Sequence, residues 1–154
     1  MPYWLQFVVQ LSFSYLSTVA FAIIINVPRR ALNLAGWAGA VGWIVYWVLA
    51  YDCQVGRMLA NLVGAFAIGC CGMIFSRIKK MPVIIFNIPG LVPLVPGGTA
   101  YQAVRALVLG QEAQAGKLTV RVAMVAGAIA VGFMLAQLLA EQTYKHPLGE
   151  HPKA

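Results

Sequence analysis

The residues able to do acid–base, nucleophilic or metal chemistry are few. Asp52, Glu112, Glu141 and Glu150 are the acids, His146 and His151 the histidines, and Cys53, Cys70 and Cys71 the thiols. Asp52 and Glu112 fall between apolar runs, and the other two acids and both histidines crowd the C-terminal end. No paired carboxylates, nucleophile–base set or Cys/His ligand spacing emerges from them. The expectation is therefore no enzyme, no metal and no cofactor. The chemistry left to the chain is binding, and one stretch is built for it. Residues 81–101 carry Pro82, Pro89, Pro93 and Pro96 with Gly90, Gly97 and Gly98 inside a strongly apolar run. Each proline removes a helical donor and clashes one turn back. The spacing predicts a half-span, an unwound stretch and a new helix from about Thr99 to Leu109. A half-helix N-terminus presents free N–H groups and a positive dipole end, which suit a carboxylate. Gly97 and Gly98 would admit a ligand to the backbone, and Thr99 would cap the new helix. The alternative is a proline hinge that binds nothing.

Other polar groups stand near this stretch. Arg105 follows in an otherwise apolar helix, where an arginine implies function unless it snorkels to the interface. Tyr101 shares its face, four residues earlier. Asn87 is the amide nearest the break, and Pro93 and Pro96 flank it. The candidate substrate path is thus Asn87, Pro93, Pro96, Gly97, Gly98, Thr99, Tyr101 and Arg105. Asn26 and Asn61 read as hydrogen-bonding residues between helices. Ser14, Ser17 and Thr18 fit one helical stripe and read as packing.

These residues must be held by something, and composition says what. The chain of 154 residues is 61% hydrophobic and 10% charged. A soluble domain needs about 25% charged residues. The apolar runs are long enough to cross a bilayer, which takes about 20 residues per helix. The fold class is an all-α integral membrane protein of about five transmembrane helices, the fourth broken. Spans fall near 5–26, 34–51, 55–76, 82–109 and 118–140, forming one domain over 1–140. Residues 141–154 read as a polar cytoplasmic tail. The runs leave a loop at 110–117. Gly36, Gly39 and Gly42 in the second span, Ala65, Gly69 and Gly72 in the third, and Ala123 and Gly127 in the fifth are small-residue stripes suited to helix contacts.

The formal charge of +7 follows from basic residues at helix ends, not from a nucleic-acid surface. Arg29, Arg30, Arg77, Lys79, Lys80, Lys145 and Lys153 fall on one side, against Arg57, Lys117 and Arg121 on the other. That bias puts the C-terminus in the cytoplasm and the N-terminus outside. No basic segment precedes the first apolar run, so it reads as a span and not a cleaved leader.

Two motifs resemble one family. Asn26-Val27-Pro28-Arg29-Arg30-Ala31-Leu32 is similar to the N-V-P-x-R-A-L turn of the threonine/serine exporters. Ile88–Tyr101, with its Pro89, Pro93, Pro96, Gly97, Gly98 and Tyr101, is similar to that family's I-P-x-x-P-G-x-x-x-Y region. The short five-span chain most resembles the small subunit of the split, two-subunit form, of the succinate-exporter type. The resemblance covers the chain to about Ala140. It marks Asn26, Pro28 and Arg29 as a cytoplasmic turn. It implies a bacterial inner-membrane exporter of small carboxylates, succinate-like or threonine and serine, working with a larger membrane subunit. It leaves a higher oligomer open. Any proton-carrying carboxylate would sit on that partner. The competing readings are a structural or regulatory subunit that contacts no substrate, and a passive pore component.

Overall fold

The structure is a computed structural model and describes residues 2–144. Six α-helices make it up: α1 Tyr3–Ile24, α2 Arg29–Trp47, α3 Arg57–Lys79, α4 Ile84–Leu91, α5 Gly97–Val108 and α6 Glu112–Tyr144. A π turn over Val48–Asp52 extends α2, and a 3-10 turn over Val92–Leu94 extends α4. No strand occurs among the described residues. Four helices are long and apolar enough to cross a membrane. The bent pair of α4 and α5, at 57°, makes a fifth, broken span. The chain is an all-α membrane fold.

The hairpin order follows from the helix ends. Asn26 adopts a left-handed φ of 57°. Val27 N–H donates to Ala22 O at 2.9 Å and Asn26 N–H to Ile23 O at 3.0 Å. This is a Schellman cap with asparagine in the glycine position. Pro28 then has an extended ψ of 135° and α2 starts at Arg29. Lys80, with φ 52°, and Gly110, with φ 72°, repeat the device at the ends of α3 and α5. At the end of the bundle opposite Asn26 and Lys80, Tyr3 Oη donates to Asp52 Oδ2 at 2.6 Å, and Tyr3, Phe7 and Tyr51 ring the buried Trp47.

Close backbone approach holds the centre together. Gly36, Gly39 and Gly42 do not share one neighbour. Three residues turn a helix by about 300°, so the first and last point about 120° apart. Gly36 lies under Tyr15 and Gly39 under Thr18, both on α1, whereas Gly42 faces Ile68 and the Gly64 carbonyl on α3. These stripes are used inside the chain. The most extensive pairing is α3 with α6. There Gly69 meets the Ala136 methyl and Gly132 lies against the Leu62 carbonyl. The Ala123–Gly127 pair is not part of it: both are exposed and Gly127 has nothing within 4 Å of its would-be Cβ. The packing face of α6 has rotated to Ile129, Gly132 and Ala136.

The expected loop at 110–117 shrinks to the residues before Glu112, where α6 begins. Glu112, Ala113, Gln114 and Ala115 are good helix formers, and an acid in the first turn suits the dipole. At the far end, residues 141–144 continue α6. The remainder of the expected tail, with Lys145, His146, Glu150, His151 and Lys153, lies outside the described residues. At 33 residues, α6 is about 50 Å long, against a hydrocarbon core of about 30 Å.

Candidate functional site

The break is shorter than the prolines predict. Pro89 stays inside α4 and Pro93 enters the 3-10 turn. Burial of Phe86, Pro89, Gly90 and Leu94 against the bundle holds this segment helical despite them. Gly90 sits 2.9 Å, at its would-be Cβ, from the Ile68 side chain, so only glycine permits that approach. Two residues leave the helix. Val95 is extended, with φ −63° and ψ 129°, the conformation that a following proline favours. Pro96, at φ −78° and ψ 50°, centres an inverse γ-turn closed by Gly97 N–H to Val95 O at 2.8 Å.

Helix α5 therefore opens at Gly97, not Thr99. Its N-cap is Pro96, and no side chain caps it. Thr99 is in the first turn, so the expected capping role is corrected. Pro96 sets the entry dihedral and leaves no room for a later cap. The N–H groups of Gly98 and Thr99 precede the first intrahelical bond, Ala100 N–H to Pro96 O at 3.0 Å. Gly97 and Gly98 are exposed, and nothing lies within 4 Å of either would-be Cβ. The broken backbone thus offers donors and open space together.

The candidate residues spread over three surfaces. Asn87 lies between α3, α4 and α6, beside a cavity of about 380 Å³ that Gly69, Met73, Phe133 and Gln137 also line. Its Oδ1 is buried against Gly72 and has no hydrogen-bond partner among the described residues. Pro93 faces the other way, into a groove with Gln10, Ser14, Ser17 and Trp43. The step of six residues from Asn87 to Pro93 turns a helix to about 240°, which separates them. Tyr101 and Arg105 share an exposed face of α5. Arg105 stands in the last turn of α5. With Gln102, Gln111 and Gln114 it lines a pocket of about 260 Å³ at the Asp52 end of the bundle. Helix α5 packs on α6 alone among the described helices. Its outer face is open.

Asn26 and Asn61 are not interhelical bridges. Asn26 is the α1 cap, and Asn61 Nδ2 donates to Arg57 O of its own helix at 2.7 Å. Ser14 does bridge helices, donating to Gly39 O at 3.2 Å. Sequence reading places Gln102 near Arg105 and Gln10 among the polar residues of the first span, but misses Gln137, Gln111 and Gln114. For the groove with Pro93, the i, i+4, i+7 spacing of Gln10, Ser14 and Ser17 was the available signal. Among the described residues no group of His, Cys, Asp and Glu could hold a metal.

Comparison with known proteins adds to this geometry. The family described as "Threonine/Serine exporter, ThrE" matches residues 10–139. A "Threonine/serine exporter" of Corynebacterium glutamicum is 25% identical over 132 residues, covering 85% of this chain and 26% of that protein. The chain thus spans about a quarter of that relative's length. No solved structure matches. With a matched region that runs from the first span through the break to the end of the last, this multi-pass membrane chain belongs to the threonine/serine exporter family.

Proposed function

We propose that the chain is the small membrane subunit of a bacterial secondary exporter of small carboxylates, succinate-like dicarboxylates or threonine and serine. The observation that carries this reading is the break at Val95–Pro96, with open Gly97 and Gly98 and the free first-turn N–H groups of α5. Non-helical backbone at membrane depth persists where it is buried in protein or lines a wet cavity. A path for a carboxylate supplies both a cavity and an acceptor for those donors. Pro96, Gly97, Gly98 and Thr99 line that path, while Asn87, Pro93 and Arg105 stand on three surfaces around the α4–α5 segment.

A larger partner subunit closes the path. The exposed Tyr101–Arg105 face and the exposed Val104, Leu107 and Val108 on α5 need cover in the assembled protein. The chain accounts for 26% of its relative's length, which leaves room there for a second bundle. The acids among the described residues, Asp52, Glu112 and Glu141, lie toward helix ends, so a proton-coupling carboxylate belongs to the partner. The site is in the cytoplasmic membrane, with the Arg29–Arg30 and Arg77–Lys80 turns inside and the N-terminus outside. Cysteine-accessibility labelling that reached Lys80 from the outside would overturn that orientation.

A structural or regulatory subunit is the second reading. The dispersal of Asn87, Pro93 and Arg105 over three surfaces favours it. The deciding experiment is efflux of labelled succinate, threonine and serine from vesicles holding this chain, the partner, or both. Efflux that needs both chains, and that a Gly98→Leu change in this one stops, supports the exporter reading. Efflux that the Gly98→Leu change leaves at full rate supports the structural one.

A further inference from the structure

Beside the break, a groove of about 280 Å³ runs between α1 and α2, lined by Gln10, Phe13, Ser14, Ser17, Trp43 and Pro93. Its polar groups have fixed directions. Trp43 Nε1 can only donate, so the Gln10 atom 2.8 Å from it is the carbonyl Oε1. That bond fixes the plane of the carboxamide and leaves Nε2 as its remaining polar group. No hydrogen bond engages Nε2 among the described residues. The serines are complementary. Ser14 Oγ donates to Gly39 O and Ser17 Oγ donates to Ser14 O at 2.9 Å. Their protons are committed, and their oxygens remain as acceptors. Donor and acceptors follow at i, i+4 and i+7, within about 10 Å along α1.

These groups lie in a helix that is apolar enough to span a bilayer, next to Pro93 of the turn that precedes the break. Left against hydrocarbon, the amide donor would go unpaired, which membrane interiors strongly disfavour. We propose that this groove is a substrate subsite. Gln10 Nε2 donates to the carboxylate of a small molecule, and the Ser14 and Ser17 oxygens accept from an ammonium or hydroxyl of the same molecule. Trp43 is the positioning residue that aims the amide. Small pockets of this kind are mostly apolar with a few placed polar groups. The ligand class is a small carboxylate that also carries a donor. A carboxylate without one leaves the serines unmatched. The physiological meaning of the subsite rests on the exporter reading, whereas binding itself does not.

The test is binding to the full chain in lipid nanodiscs, labelled with 5-fluorotryptophan. Trp43→Phe assigns the Trp43 resonance. L-serine should shift that resonance saturably. Acetate and succinate, lacking a donor, should bind about tenfold more weakly, the loss of one charge-assisted hydrogen bond. Gln10→Leu should weaken L-serine about tenfold while the Trp37 and Trp47 resonances stay in place, which shows the fold is kept. Ser17→Ala should weaken L-serine and leave acetate unchanged. A Trp43 resonance that no ligand moves, or that moves with the same midpoint in Gln10→Leu, would overturn the subsite. The exporter reading fails separately. Absent efflux with an intact Trp43 response defeats that reading, and normal efflux with no Trp43 response defeats only the groove.

Discussion

Replacing Gly132 by alanine should destabilise the bundle by about 3 kcal/mol, the upper part of the range for overpacking a well-packed interior. The magnitude comes from what the new methyl would meet. It would run into the Leu62 carbonyl oxygen and stand 3.0 Å from the Ala65 Cβ and 3.1 Å from the Phe66 nitrogen. Two of those three are backbone atoms of α3, so no side-chain rotation relieves them. Helix α6 must then back away from α3 along the most extensive pairing in the chain. A radial gap of about 0.5–1 Å already forfeits a quarter to a half of the dispersion energy at the surfaces it parts. The internal control is Gly127→Ala, five residues earlier in the same helix. There the methyl meets nothing within 4 Å, and removing a helical glycine should stabilise by about 0.5–1 kcal/mol. Reversible denaturation in mixed micelles, followed by tryptophan fluorescence, measures both. Opposite signs are expected. A Gly132→Ala protein as stable as wild type would refute the claim that backbone proximity sets the α3–α6 distance. Ala65→Gly in the Gly132→Ala background should restore only part of the loss, because the Leu62 carbonyl remains.

Asn26→Ala should cost about 1 kcal/mol in the same assay, because φ 57° is a left-handed position, whereas Asn26→Gly should be near neutral. Gly98→Leu should block efflux from vesicles holding the assembled exporter while co-purification of the subunits is unchanged, since Gly98 faces open space. Thr99→Val, which keeps shape and removes the hydroxyl, should slow efflux. Both variants transporting at the wild-type rate would reduce the segment to a hinge. Arg105→Gln should weaken efflux of carboxylates with little change in stability, because Arg105 is exposed at the end of α5. Unchanged efflux would assign it to interfacial anchoring.

The sequence alone determined the class, the broken fourth span and the turns, because each follows from local chemistry. Several apolar runs of about 20 residues, with few charges between them, suit the thickness of a bilayer core. Asn26-Val27-Pro28 and Lys80-Met81-Pro82 end helices through their own dihedrals, whatever surrounds them. Only the tertiary structure decided how much of the proline-rich segment unwinds. Pro89 and Pro93 remain helical since burial of Phe86, Pro89 and Leu94 outweighs their missing bonds, a balance with no local signature. It also decided which glycines do the packing. Gly132, unremarked in the pattern, lies against backbone, while Gly127, at an equally suitable spacing, faces outward. Spacing fixes which residues share a helical face, but the rotation of each helix is set by its neighbours. For the same reason the path residues, close together in the chain, separate in space, and Gln10 joins Pro93 from a helix more than eighty residues away.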